Sequence, residues 1–237
     1  MTRPTLHPHG GVRFAPAPPG PFDLIVALFC GLLLISNVAA TKLIEFTGVP
    51  LLGTLITDGG ALLFPLTYVL GDVLAEVYGL RRTQRAILIG FALSAVMSLT
   101  FLAVDAAPPA ASWPHAEAWS AVLGFVPRIV VASLAGYLAG QFLNASVLVR
   151  IKRRTQERTL WVRLVTSTLV GELADTVVFC LVAFGPVGAL FDGFSLSWPE
   201  LLNYIAVGWV YKCLVEIALL PVTYRVIAWV KRREPGY

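Results

Sequence analysis

The sequence predicts an all-α membrane protein with six transmembrane helices, and three observations lead to that class. The 237-residue chain is 57% hydrophobic and only 14% charged, whereas soluble domains average about a quarter charged residues. Six apolar stretches are long enough to cross a bilayer, which takes about 20 residues. Basic residues cluster after the second, fourth and sixth stretches, as they do in membrane proteins of fixed orientation.

The six predicted spans follow one another with short connections. They are Phe22–Thr41, Gly60–Tyr78, Arg85–Val104, Ala121–Val149, Val162–Leu190 and Leu201–Ile227. The run Leu51–Ile56 is too short to cross a membrane, so we expect a loop or a segment that re-enters the bilayer. Residues 1–21 are rich in proline and glycine and are expected to be a disordered tail. Residues 22–230 then form one six-helix domain, and residues 231–237 a basic tail.

The basic clusters predict the orientation of the chain. They lie at Arg81–Arg85, Arg150–Arg158 and Lys231–Arg233, whereas the opposite loops carry acidic residues and, near the first span, Lys42. Positively charged loops stay in the cytoplasm, which places both termini there. Three spans in each half give the halves opposite orientations, an arrangement that permits a 3+3 inverted repeat.

Composition and motifs exclude several function classes. The net charge of +4 lies in short loops between apolar spans, so nucleic-acid binding is not indicated. The sequence contains no GxxxxGK[ST] phosphate loop, no HExxH and no GxSxG, the motifs that would indicate ATP hydrolysis or hydrolytic catalysis. Its acidic pairs are not accompanied by histidine or cysteine at metal-ligand spacing. We therefore expect no catalytic residue, no metal and no cofactor.

Charged and amide side chains lie inside the spans, where one charge costs at least about 2.5–3.5 kcal/mol on insertion scales. Acidic residues three or four apart share one helix face in spans two and five, and Lys212 lies four residues before Glu216 in span six. The candidate binding residues are Asn37, Asp72, Glu76, Gln141, Asn144, Glu172, Asp175 and Lys212. Lys212 and Glu216 could also form an internal ion pair that only holds helices together.

The flanking cations give the depth of these groups. Asp72 lies nine residues before Arg81, and Glu172 lies nine residues after Arg163. At a rise of about 1.5 Å per residue, both are roughly 13 Å from the cytoplasmic boundary, near the midplane. Five carboxyl groups share these spans with one deep cation, Lys212. The surplus predicts a polar midplane site, which is where transporters bind their substrates.

Two parts of the chain resemble the queuosine precursor transporter family, also described as the vitamin uptake transporter family. The first comprises ISNVAATKLIEF and GGALLFPLTYVLGDVLAEVYG, and the second is FLNASVLVRIKRRTQERTLWVRLVTSTLVGELADTVVFCLVAFG. The likeness extends from about Leu24 to Lys231. It implies import across the bacterial inner membrane of 7-cyano-7-deazaguanine (preQ0), 7-aminomethyl-7-deazaguanine (preQ1) or both, for tRNA queuosine salvage.

The resemblance also implies which residues bind the substrate. Asp72 and Asp175 match family aspartates in spans two and five, Asn37 matches the asparagine that ends span one, and Lys212 matches a lysine of span six. Glu76 and Glu172 occupy positions where members vary.

The substrate's chemistry agrees with these matches. A carboxylate can accept the N–H groups of a deazaguanine's pyrimidine edge, so we expect Asp72 or Asp175 to bind that edge. Asn37, Gln141 or Asn144 is expected to contact the carbonyl side.

Three hypotheses remain open on the sequence alone. The first is a secondary carrier, in which Glu172 could couple proton entry to uptake. The second is a substrate-binding membrane subunit of a vitamin-type uptake system energised by a separate ATPase module. The third is a non-transporting scaffold or an intramembrane enzyme. The expected partners are the lipid bilayer and the small-molecule 7-deazapurine, with a homo-oligomer or an energising module permitted.

Overall fold

The computed structural model describes residues 20–50, 53–155, 160–192 and 194–234. The expected tails lie outside the described residues except for 20–21 and 231–234, and so does the centre of the second basic cluster, 156–159. Eight α-helices run through the described chain. They are α1 Phe22–Ala39, α2 Phe64–Val73, α3 Leu80–Asp105, α4 Ala116–Leu123, α5 Val126–Thr155, α6 Leu160–Ala183, α7 Pro186–Asp192 and α8 Trp198–Arg233.

Five stretches of the described chain are long and apolar enough to cross a membrane. They are Phe22–Ala39, Leu80–Asp105, Ala116–Asn144, Thr168–Leu190 and Trp198–Arg233. Each overlaps one of the predicted spans, and together they bear out a multi-pass helical membrane protein. The remaining predicted span, Gly60–Tyr78, which is the second in the chain, corresponds to no single helix of spanning length.

That second predicted span begins with a short 3-10 turn and continues as one helical stretch that changes from α-helical to π-helical geometry. A 3-10 turn, Gly59–Leu62, precedes α2, and a π-helical turn, Leu74–Tyr78, follows it. Pro65 lies in the first turn of α2, where its missing N–H costs nothing because the first N–H groups of a helix have no partner. Gly79 ends the π-helical turn with φ +78°, a conformation that favours glycine. The chain then turns directly into α3.

A β-hairpin lies between α1 and the 3-10 turn, so the all-α prediction was wrong here, and residues 53–56 form a strand instead of the expected loop. Strand β1, Leu43–Val49, pairs antiparallel with β2, Gly53–Asp58, with Leu43 opposite Asp58. Residues 51 and 52 lie outside the described chain. β-Branched residues such as Ile44, Ile56 and Thr57 favour strands. The length of the run Leu51–Ile56 alone does not distinguish a strand from a loop.

The hairpin is fixed to the first turns of α8. The side-chain amide of Asn203 accepts a hydrogen bond from the Ile56 N–H at 2.9 Å and donates one to the Thr54 carbonyl at 2.7 Å. Asn203 thus satisfies the open edge of β2 in the way a third strand would. The next residue, Tyr204, donates a hydrogen bond to Asp58. These contacts hold the end of β2 against α8.

Helices α5 and α6 pack closely because glycines face the contact. A Cβ on Gly140 would lie 2.9 Å from the Gly171 carbonyl oxygen, and one on Gly136 would lie 2.8 Å from the Asp175 carbonyl oxygen. Real Cβ atoms rarely approach so near. Small residues in this arrangement let membrane helices come together and gain van der Waals contact. The approach brings Asp175 up against α5.

Two groups of buried apolar residues flank the polar side chains described below. One lies between the hairpin, α5, α6 and α8 and includes Ile129, Phe184 and Tyr204. The other lies between α1, α2, α3 and the end of α8 and includes Phe29 and Val73. The space between these two cores is where the charged residues of α2, α6 and α8 meet.

Candidate functional site

A cavity of about 510 Å³ lies among α2, α3, α5, α6 and α8. This volume falls within the usual range for small-molecule sites, about 300–1,000 Å³. The end of β2 contributes Thr57 and Asp58 to its wall, and the start of α3 contributes Thr83 and Gln84. Six of the eight sequence-predicted binding residues line it: Asp72, Gln141, Asn144, Glu172, Asp175 and Lys212.

Lys212 of α8 is held between two carboxylates of α6. Its Nζ forms an ion pair with Asp175 and lies 3.9 Å from Oε2 of Glu172. The same ammonium lies 5.8 Å from the centroid of the Phe64 ring, within reach of a cation–π contact. The interpretation that Lys212 pairs with Glu216 was therefore wrong. Residues four apart on a helix are neighbours, but the α6 carboxylates present a closer partner across the helix contact.

Glu172 is only partly satisfied by these contacts. Its Oε2 atom is buried and has no hydrogen-bond partner among the described residues, and the Lys212 ammonium at 3.9 Å is beyond hydrogen-bond distance. A buried carboxylate oxygen without a donor costs free energy. The cavity therefore has an acceptor that a ligand's N–H group could satisfy after a small side-chain movement.

Asp72 and Glu216 are a second pair of acidic residues on the cavity wall, and they project from α2 and α8. Asp72 is exposed and Glu216 is partly buried. Within the described chain, neither forms an ion pair. This pair was not foreseen as a unit, because sequence spacing relates residues on one helix and not residues on two.

The amides of α5 lie beside the acidic residues. Gln141 is exposed to the cavity and Asn144 is partly buried, one helical turn apart. The Asn144 Cβ lies where a Cβ on Gly171 would clash at 2.9 Å, so Asn144 lies at the close contact of α5 with α6. Each amide offers one acceptor oxygen and two donor hydrogens.

Asn37 and Glu76 do not line the cavity. Asn37 is fully buried, where it accepts a hydrogen bond from Ser133 at 2.9 Å and its amide nitrogen lies 3.4 Å from Ser94 Oγ. It therefore links α1, α5 and α3. Glu76 forms a 2.7 Å ion pair with Lys231 at the end of α8, and the Glu76 side chain is more than half exposed.

Several cavity residues have no strong sequence signal. The sequence around Asp58 suggests an acidic residue in an exposed loop. In the structure Asp58 is only 5% exposed, and it accepts hydrogen bonds from Tyr204 and from the Gly60 N–H at 2.6 Å. Burial raises the pKa of the Asp58 carboxyl, and these hydrogen bonds oppose the rise. Aromatic side chains complete the wall with flat surfaces: Phe64, Tyr68, Phe91, Tyr137, Phe179, Tyr204 and Tyr211.

The site combines features that suit a flat, nitrogen-rich solute. Carboxylates accept from N–H donors, amides can donate to a carbonyl, and aromatic rings can pack against a planar ring system. Within the described chain there is no cluster of histidine, cysteine or carboxylate side chains arranged to hold a metal ion.

Comparisons with known proteins agree with these features. Residues 58–226 match a family model described as a putative vitamin uptake transporter. A "probable queuosine precursor transporter" of Bacillus subtilis is 34% identical over 152 residues, which are 63% of this chain and 63% of that protein. The "queuosine precursor transporter" of Escherichia coli is 28% identical over 171 residues, 72% of each chain. No solved structure matches the chain significantly.

Proposed function

The chain belongs to the vitamin uptake transporter family, and we propose that it imports queuosine precursors through the cavity described above. The family and its named members are transporters and not enzymes. The substrates we propose are 7-cyano-7-deazaguanine and 7-aminomethyl-7-deazaguanine. The observation that carries this proposal is the cavity itself, where carboxylates, amides and aromatic rings of the surrounding helices enclose a space of about 510 Å³.

The substrate would bind with its hydrogen-bonding edges toward α5 and α6. Asp175 is already engaged by Lys212, so Glu172 is the α6 carboxylate better placed to accept the N–H groups of the pyrimidine edge. Gln141 and Asn144 lie beside it to meet the carbonyl side. Lys212 would then keep Asp175 in place, and Asn37 would support the wall from behind through Ser133.

The proposed topology has both termini in the cytoplasm of a bacterium and the cavity in the inner membrane. The stretch from Gly59 to Tyr78, made of the 3-10 turn, α2 and the π-helical turn, would make the sixth crossing. π-Helical turns occur often at functional sites, and residues of this stretch line the cavity. Residues 22–230 would form the transporting domain, with halves of opposite orientation.

The first test is complementation of a bacterium that can neither make nor import queuosine precursors. Expression of this chain with either precursor in the medium is expected to restore queuosine in tRNA. The inserted and folded variants Glu172→Gln and Asp175→Asn are expected to lower that restoration by at least about tenfold, because each loses a charged contact worth about 1.5–3 kcal/mol. Restoration at the original rate by both variants would contradict the proposal.

A second measurement separates a carrier from the substrate-binding subunit of an ATPase-driven system. The purified chain is reconstituted alone in lipid vesicles, and precursor entry is followed with and without a proton gradient. Entry by the chain alone is what the carrier proposal requires. Binding without entry, together with copurification of an ATPase, would support the subunit instead.

A further inference from the structure

The charges of the cavity are unbalanced, and this bears on which precursor it accepts. Lys212 is the one cationic side chain among the described residues of the wall. The carboxyl groups on the same wall are Asp58, Asp72, Glu172, Asp175 and Glu216. Asp58 is hydrogen-bonded to Tyr204, and Asp175 is paired with Lys212. The remaining three carboxyl groups have weaker partners or none.

Two independent observations show which carboxyl groups of the wall lack an ion pair or a hydrogen-bond donor from the protein. Asp72 and Glu216 border the same cavity from α2 and α8, which pack against each other, and neither forms an ion pair within the described chain. Separately, the buried Oε2 of Glu172 has no hydrogen-bond donor there, although the side chain borders the cavity. Both observations indicate that the cavity is built for a ligand that brings N–H groups and positive charge.

A cleft lined by one sign of charge and walled by apolar groups concentrates the opposite charge. A ligand that places a neutral group without N–H donors beside Asp72 and Glu216 displaces water from them and forms no hydrogen bond in its place, so the desolvation cost of the carboxylates weakens its binding. A ligand with an ammonium group replaces that water with charge-assisted hydrogen bonds. The electrostatics of the wall therefore discriminate between ligands that share one ring but differ in charge.

We propose that the cavity selects a cationic, amine-bearing 7-deazaguanine over a neutral one, with the ammonium group between Asp72 and Glu216. This inference rests on the proposed function and narrows it. A primary aliphatic amine is protonated at neutral pH, whereas a nitrile is uncharged. The ring would extend from the Asp72–Glu216 pair toward Glu172, which accepts its N–H edge. The two ends of the ligand thus meet the carboxylates of Asp72 and Glu216 and the Oε2 atom of Glu172 that has no hydrogen-bond donor among the described residues.

The test is equilibrium binding of the two precursors to the purified full-length chain at neutral pH. The 7-aminomethyl form is expected to bind at least about tenfold more tightly than the 7-cyano form, the ratio that one charged hydrogen bond supplies. Asp72→Asn and Glu216→Gln are each expected to reduce this ratio, and the double variant to bring it close to one. Glu117→Gln, an exposed position on α4 outside the wall, is the matched control and should leave the ratio unchanged.

The outcomes distinguish this inference from the proposed function. Equal affinities for the two precursors would overturn the charge selection and leave the transport proposal standing. A preference that survives in the double variant would show that the ammonium group binds elsewhere, which also overturns the inference. Binding of neither form by a chain that melts cooperatively would count against the proposed function itself.

Discussion

Replacing Lys212 with methionine is expected to abolish precursor uptake and to destabilise the folded chain. The substitution leaves Asp175 and Glu172, neighbours on one face of α6, without their shared cation. The side chains of Lys212 and Asp175 are only 16% and 25% exposed, so water compensates poorly. Removing one partner of a buried pair costs about 3–5 kcal/mol, and partial exposure reduces this to about 2 kcal/mol here. Thermal unfolding in detergent and uptake in cells measure the two effects.

Two controls separate the ion pair from general effects of losing a lysine. Lys42→Met removes an exposed cation after α1 and should change neither the melting temperature nor uptake. The double variant Lys212→Met with Asp175→Asn removes both charges, and it should recover most of the lost stability without recovering uptake. A single Lys212→Met variant that melts like the wild type would contradict a stabilising role for this pair.

Gly140→Ala is expected to produce the second large effect, by separating α5 from α6. The new Cβ would lie 2.9 Å from the Gly171 carbonyl oxygen and 3.0 Å from the Asp175 Cβ, so one helix must shift. Overpacking of this kind costs about 1–3 kcal/mol. The shift also moves Asp175 relative to Lys212, so uptake should fall more than the loss of folded protein explains. The measurement is uptake per folded molecule, with folded protein quantified separately.

Gly31→Ala provides the matched control for this substitution. Gly31 lies within α1, and a Cβ there has no neighbour within 4 Å. Alanine is a better helix former than glycine by about 1 kcal/mol, so this variant should be as stable as the wild type or more so. If Gly140→Ala and Gly31→Ala gave the same stability and the same uptake per folded molecule, the close approach of α5 to α6 would not be needed for folding or uptake.

The sequence predicted which polar residues share a site better than it predicted their partners. Counting from the flanking arginines predicted one depth for Asp72 and Glu172, and both residues line one cavity with Gln141. Depth follows from the helical rise, which is nearly constant. Partners depend on how helices rotate and approach, which was set here by Gly136 and Gly140, and local spacing does not report that. The Lys212–Asp175 pair across two helices was missed for this reason.

The limits of local sequence patterns also explain where the structure differs from the predicted spans and binding residues. A hydropathy window registers apolar length, so it predicted Gly60–Tyr78 as one span and could not indicate the change from 3-10 to α-helical to π-helical geometry along it. It also passed over the strand propensity of β1 and β2. Asn37 and Glu76 have the residue types of binding groups, but their direction is fixed by neighbours distant in sequence, Ser94 and Lys231.

The central claim, that queuosine precursors bind in this cavity, is tested most directly by protection of a cysteine in its wall. Cys30, Cys180 and Cys213 are first replaced with alanine, and Gly71→Cys is introduced because a Cβ there borders the cavity and meets no neighbour within 4 Å. A second chain carries Glu117→Cys, an exposed position on α4 outside the wall. We expect 7-aminomethyl-7-deazaguanine to slow thiol labelling of Gly71→Cys and not of Glu117→Cys. Unchanged labelling of Gly71→Cys, in a variant that still takes up the precursor, would contradict the claim.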